Sequence, residues 1–267
     1  MKKTVKGVFI TFILLFLYLP ILILAVYSFT DATNIGAIRG FSLHNYVTLF
    51  TTEELVQMII GTIVLALSAA ALATVLGTLG AIGAFYSQKG MASAITTMNQ
   101  VPVINADVVT GFSICILLVV VFGISKDTFI PLIVGHVTLC APFVFLSVIP
   151  KLKQMDQSIY EAALDLGATP FTALTKIVIP QIFPGILSGF ALAVTLSLDD
   201  YFVATYTKPA TFDTISTYVV NATRGAQTTI KTALWALSTV IFLAVVLIVI
   251  LMNVRAGKTS DGKQTEV

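Results

Sequence analysis

Residues 8–29 form a run without one charged side chain, preceded by Lys2, Lys3 and Lys6. About 20 such residues in a helix cross the roughly 30 Å hydrocarbon layer of a bilayer. A helix can enter lipid because it satisfies its own backbone polar groups. The run is longer than the apolar core of a cleaved leader, and no clear Ala-x-Ala site follows it. It reads as a retained first span. Comparable runs cover residues 55–88, 95–122, 128–150, 177–198 and 232–254. The second is rich in small residues (Gly61, Ser68, Gly77, Gly80, Gly83), which let membrane helices approach closely. The expectation is an all-α membrane protein with about six transmembrane helices.

Hydrophobic residues make up 57% of the chain and charged residues only 10%. A soluble domain carries about 25% charged residues, so this chain lacks the charge to cover a water-facing surface. The longest polar stretches, 30–54, 151–176 and 205–231, are too short for a soluble domain. Residues 1–267 read as a single transmembrane domain with one cytoplasmic loop at about 151–178. Ten of the fifteen basic residues fall in alternate segments with the termini: Lys2, Lys3, Lys6, Lys89, Lys151, Lys153, Lys176, Arg255, Lys258 and Lys263. The other five are Arg39, Lys126, Lys208, Arg224 and Lys231. The positive-inside rule then places both termini in the cytoplasm. Cys115 and Cys140 lie in apolar runs and read as packing residues; no metal site and no nucleic-acid surface is expected. His44 and His136 have no ligand-like neighbours in sequence and read as structural. Asn221-Ala-Thr223 fits a glycosylation pattern and is assigned no role.

The loop after the fourth run carries the densest signal. Ser158 with Glu161 three residues on predicts a capping box. Gly167 suits the left-handed residue that ends a helix. Thr169 followed by Pro170 predicts a second start. Two short helices with a tight turn, lying beside the membrane, are expected. The same segment resembles the EAA motif of ABC importer permeases. Glu161-Ala162-Ala163, Gly167 and Ile177-Val178-Ile179-Pro180 stand at its spacing, with Ile179 where leucine is usual. The resemblance implies the type I importer permease (MetI-like) fold in a bacterial cytoplasmic membrane. It also implies that Glu161, Ala162, Ala163, Asp165, Gly167 and Pro180 belong to the segment that couples to a partner ATPase. The chain has no phosphate-binding loop of its own: Gly257-Lys258-Thr259 ends such a pattern, but Met252 stands where its first glycine belongs. ATP and Mg would therefore be bound by the partner, no cofactor by this chain, and no enzymatic activity is expected of it.

Asp107 falls within the third run, and Asp199 and Asp200 at the outer end of the fifth. A charged aspartate at a helix centre costs about 2.5–3.5 kcal/mol. Such groups usually face a cavity or a partner. No Lys or Arg lies inside the runs, so the carboxylates suit a cation path, with the alternatives that Asp199-Asp200 is hydrated at the headgroups and that Asp107 caps a helix broken near Pro102. Asn105-Ala106-Asp107, Ser197-Leu198-Asp199-Asp200 and Phe41-Ser42-Leu43-His44-Asn45-Tyr46 resemble spermidine/putrescine permeases of the second, C-type kind. That resemblance implies a heterodimer with a related permease, an ATPase homodimer, an extracytoplasmic binding protein and a polyamine cargo. Tyr201 and Tyr206 are candidates to meet an alkylammonium, against the default of an interfacial aromatic belt. Lys208-Pro209-Ala210 departs from the polyamine pattern and puts a cation near the proposed path. Thiamine, phosphonate or iron importers are alternatives within the class. Outside it stand an ion-coupled secondary transporter and a membrane scaffold.

Overall fold

A computed structural model describes residues 3–31, 40–224, 232–243 and 246. The described residues are helical apart from turns and one isolated bridge, Thr30 to Phe41. In chain order the helices are α1 (Lys3–Ser28), α2 (His44–Thr51), α3 (Glu53–Tyr86), α4 (Lys89–Ile104), α5 (Asp107–Cys115) and α6 (Ile130–Gln154). They continue with α7 (Gln157–Asp165), α8 (Pro170–Ala173), α9 (Ile179–Asp199), α10 (Phe202–Thr207) and α11 (Ile215–Arg224). A further apolar helix, α12, covers Thr232–Leu243. Wider π-helical turns occupy Ile116–Val121 and Leu174–Val178.

Four helical stretches are long and apolar enough to cross a membrane: Gly7–Ser28, Glu53–Tyr86, Ile130–Gln154 and Pro170–Asp199. The run at 95–122 is not one straight span. α4 and the α5 stretch meet at 105°, broken at Asn105–Ala106, with Asp107 the first residue of the second helix. The sixth expected span is apolar over Thr232–Leu243; Arg255, Lys258 and most of its remainder lie outside the described residues.

The chain divides into two compact units, Met1–Val56 with Val219–Val267, and Gln57–Tyr218. In the first, Tyr27 meets Trp235 edge-on at 5.6 Å and Tyr18 lies 6.3 Å from Phe242, joining α1 to α12. Asn45 of α2 donates to the carbonyls of Ser28 and Thr30, both at 3.1 Å, so α2 is tied to the end of α1. Ser28 and Tyr46 hydroxyls bond at 2.8 Å.

The second unit is built on α6 and α9, which run antiparallel: Cys140 meets Ala193, Val144 meets Gly189, and Lys151 meets Gly185. Val144, Phe145, Val148, Leu152, Val178, Ile182 and Ala193 fill this seam together with Ala70, Ala73 and Ala81 of α3. Alanines on α3 keep it near the seam, while its outer face exposes Leu67, Leu72, Val75, Leu76 and Leu79. A helix apolar on its exposed side as well as its buried side is suited to hydrocarbon. Asn99 of α4 donates to the Pro142 carbonyl at 3.3 Å, one polar tie between α4 and α6.

Candidate functional site

Two features in the second unit carry chemistry: the turn between α7 and α8, and the corner where α9 gives way to α10.

At the first, the helix start differs from the sequence expectation. The N-cap is Asp156, whose carboxylate accepts the Ser158 N–H at 3.0 Å. Ser158 already lies inside the helix, so the reciprocal Ser158–Glu161 box is not the cap. Hydrogen bonds from the Ser158 hydroxyl side and N–H hold the Asp156 carboxyl below the usual carboxylate range. The helix ends as a left-handed cap: Gly167 has φ +88°, its N–H donates to Leu164 at 2.9 Å, and the Ala168 N–H donates to Ala163 at 3.0 Å. These crossed bonds satisfy carbonyls the helix would otherwise leave free. Thr169 then caps α8 by accepting the Thr172 N–H at 3.3 Å, with Pro170 in the first turn.

The second short helix is not a separate element. α8 passes through the π-helical turn Leu174–Val178 directly into α9, so residues 170–199 are one continuous helical stretch. Pro180 has no N–H to donate and its ring crowds the carbonyl four residues back. A widened turn immediately before it relieves that crowding, and the Ile179 N–H reaches back to Leu174.

Around this turn Glu161, Ala162, Asp165, Gly167 and Pro180 are exposed, while Ala163 is buried. Leu166 and Phe171, which the sequence reading did not single out, are 89% and 75% exposed. Their signal was available: large apolar residues flanking a polar turn. Tyr160 of α7 packs on Tyr86, the last residue of α3, with ring centroids 4.9 Å apart.

At the second feature, Asp200 ends α9 by turning into an extended conformation. Its Oδ1 accepts the Val203 N–H at 3.1 Å and its Oδ2 the Ala204 N–H at 2.7 Å. Asp200 is thereby buried and bound to the first turn of α10, and is not a hydrated headgroup neighbour. Asp199 and Asp107, in contrast, are both exposed. Asp107 opens α5, and Gly111, one turn along, meets the Val203 backbone of α10, which brings the start of α5 to the turn that Asp200 caps. Asn105 donates to the Thr110 hydroxyl at 3.3 Å across the helix break.

Tyr201 is half-buried beside Phe202, with rings 5.2 Å apart, and Tyr206 packs edge-on to Phe112 at 5.7 Å. The corner therefore gathers Asp107, Asp199, Asp200 and Tyr201. Lys208 does not compete for them. Its Nζ lies 2.9 Å from Asp213 Oδ1 and donates to the Phe212 carbonyl at 2.9 Å. Among the described residues, neither Asp107 nor Asp199 has a basic partner within ion-pair distance. His136, buried on α6, places Nδ1 3.7 Å from Asp200 Oδ2. Sequence reading missed that pair, since it depends on helix register.

The chain is 32% identical over 243 residues to the spermidine/putrescine transport system permease protein PotC of Haemophilus influenzae, covering 91% of this chain and 94% of that one. It is 34% identical over 218 residues to the putrescine transport system permease protein PotI of Escherichia coli K12, covering 78% and 76%. Among solved structures, a bacterial ABC transporter that imports alginate superposes with a TM-score of 0.73 at 23% identity, covering 92% of each chain. That likeness concerns the fold. The family profile itself matches residues 1–256. With its membrane-length helices, this chain belongs to the binding-protein-dependent transport system inner membrane components.

Proposed function

We propose that this chain is the C-type subunit of a polyamine importer, moving spermidine or putrescine into the cytoplasm. The observation that carries the cargo is the α9–α10 corner. Two exposed carboxylates, Asp107 and Asp199, stand there with no basic partner among the described residues, and the nearby Lys208 is neutralised by Asp213. A polycation gains from carboxylates that no basic side chain already neutralises. The curated relatives PotC and PotI, at about the same identity, support the same cargo. Tyr201 offers a ring face to an alkylammonium.

The α7–α8 turn is the proposed seat of a separate ATPase homodimer, which would bind ATP and Mg. Glu161, Ala162, Asp165 and Gly167 present its polar surface, and Leu166 and Phe171 its apolar anchors. Exposed apolar side chains flanking a polar turn suit a protein groove better than water. Push on α7 would reach α3 through Tyr160 and Tyr86, and reach α9 through the continuous helix from Pro170. A second, related permease and an extracytoplasmic binding protein complete the assembly. A solved neighbour is an alginate transporter in complex with its substrate-bound periplasmic protein. Both termini and the α7–α8 turn lie in the cytoplasm in this reading.

The test is uptake of radiolabelled spermidine and putrescine into cells that lack other polyamine importers, with and without this chain and its co-expressed partners. ATP-dependent uptake that competes with neither thiamine nor an anion supports the reading. Absence of polyamine uptake by an assembled, ATP-hydrolysing complex overturns the cargo.

A further inference from the structure

His136 is fully buried on α6, and neither ring nitrogen has a hydrogen-bond partner among the described residues. An imidazole in apolar surroundings is costly unless something offsets its desolvation, and a leucine would fill the same space without that cost. The Ser197 hydroxyl is likewise buried without a partner. The α6–α9 register set by Cys140 against Ala193 and Val144 against Gly189 brings Ser197 opposite His136. Asp200 follows three residues later, its Oδ2 3.7 Å from His136 Nδ1. That distance is too long for a hydrogen bond but short enough for charge and dipole to attract in a dry interior.

Consecutive residues of α6 thus address the same corner in two ways. A β-carbon on Gly135 would lie 2.7 Å from a Val203 methyl, so its bareness admits α10. His136 then faces the carboxylate that holds the first turn of α10. We propose that His136 is a positioning residue for Asp200: the buried pair sets how α10 and the Asp199–Tyr201 segment are presented to cargo. A carboxylate opposite Nδ1 favours the tautomer protonated there. A closure of under about 1 Å turns the contact into a direct bond from Nδ1–H to Oδ2. This inference rests on the reading of the corner as the cargo path.

The experiment uses the complete transporter, with partner permease and ATPases, in nanodiscs and proteoliposomes. His136→Asn places an amide N–H near the position of Nδ1; His136→Gln places it near Nε2; His136→Leu keeps volume alone. With labelled spermidine as probe, H136N should stay within about twofold of wild type. H136L and H136Q should raise KM about fivefold or more, with kcat changed less. H136L combined with D200N should be no worse than D200N alone. Equal behaviour of H136N and H136L, or additive effects of H136L and D200N, would overturn the proposal. The same four-variant cycle is read on thermal midpoint without cargo. If wild type moves no spermidine, the polyamine reading fails, yet the midpoint cycle still decides the pair. Non-additive shifts uphold it and additive shifts end it.

Discussion

Gly111 of α5 and Val203 of α10 meet backbone to backbone: a β-carbon on the glycine would lie 2.8 Å from the Val203 α-carbon and 3.4 Å from the Phe202 carbonyl oxygen. No flexible side chain is there to yield, so one helix must move if Gly111 gains bulk. Gly111→Val is expected to destabilise the subunit by about 1–3 kcal/mol, the usual range for overpacking. It should also shift Asp107 away from Asp200. Gly83→Ala is the control, since nothing lies within 4 Å of its added carbon. Thermal midpoints of the two purified variants check the contrast; equal shifts would contradict the packing argument.

Gly167 is exposed and its added β-carbon would meet nothing, so only its φ of +88° resists substitution. Left-handed backbone costs an L-residue about 1–2 kcal/mol, more when β-branched and less for asparagine. Uptake and ATPase retention should therefore fall in the order Gly, Asn, Ala, Val. The measurement is co-purification of the ATPase at matched membrane expression. A valine variant that retains the ATPase as wild type does would refute this account of the turn.

The three carboxylates should separate into two kinds. Asp107 and Asp199 are exposed, so Asp→Asn there removes charge and little else. Carboxylate and ammonium about 4 Å apart attract by about 4 kcal/mol at an effective dielectric near 20, before desolvation takes back much of it. A net loss of about 1–2 kcal/mol slows spermidine uptake roughly five- to thirty-fold. Asp200→Asn must also surrender one of two backbone bonds, costing about 1–3 kcal/mol of stability. Lower uptake with unchanged melting is expected for D107N and D199N, and lower values of both for D200N. Unchanged uptake in all three would exclude a cation path at this corner.

The Asp156 cap has a defined pH window. Its carboxyl is held below the usual value near 3.9 by Ser158, so its contribution is complete above that value. The contribution is lost only as pH falls through the lower folded value. Association with the ATPase should thus show no loss from this cap between pH 8 and pH 5. Asp156→Ala should weaken association throughout that range, whereas Asp156→Asn, also a good N-cap, should not. Pull-down of the ATPase at pH 5, 6.5 and 8 tests both statements.

What the sequence disclosed were features settled within a few residues. Four uncharged runs became long helices, Gly167 took positive φ, and Thr169-Pro170 opened a helix, because each rests on local sterics or hydropathy. Choice among competing local signals was harder. Ser158 with Glu161 carries the capping-box pattern, yet the helix starts at Gln157 and Asp156, just outside it, is the cap. Asn105–Ala106 breaks a run that hydropathy reads as continuous, since apolar content says nothing about direction. The His136–Asp200 pair was invisible because it needs the register of α6 against α9, fixed by small residues along the whole seam.

The π-helical turn at Leu174–Val178 also fixes an azimuth. Each residue of an α-helix advances about 100° around the axis, so one residue more or less in a turn rotates everything beyond it by that angle. The end carrying Phe171 and the end carrying Gly185 and Gly189 belong to one continuous helical stretch, and the bearing of one relative to the other is set at Leu174–Val178. Shortening this turn by a residue would leave both ends helical while pointing Phe171 more than a quarter-circle away from its present heading.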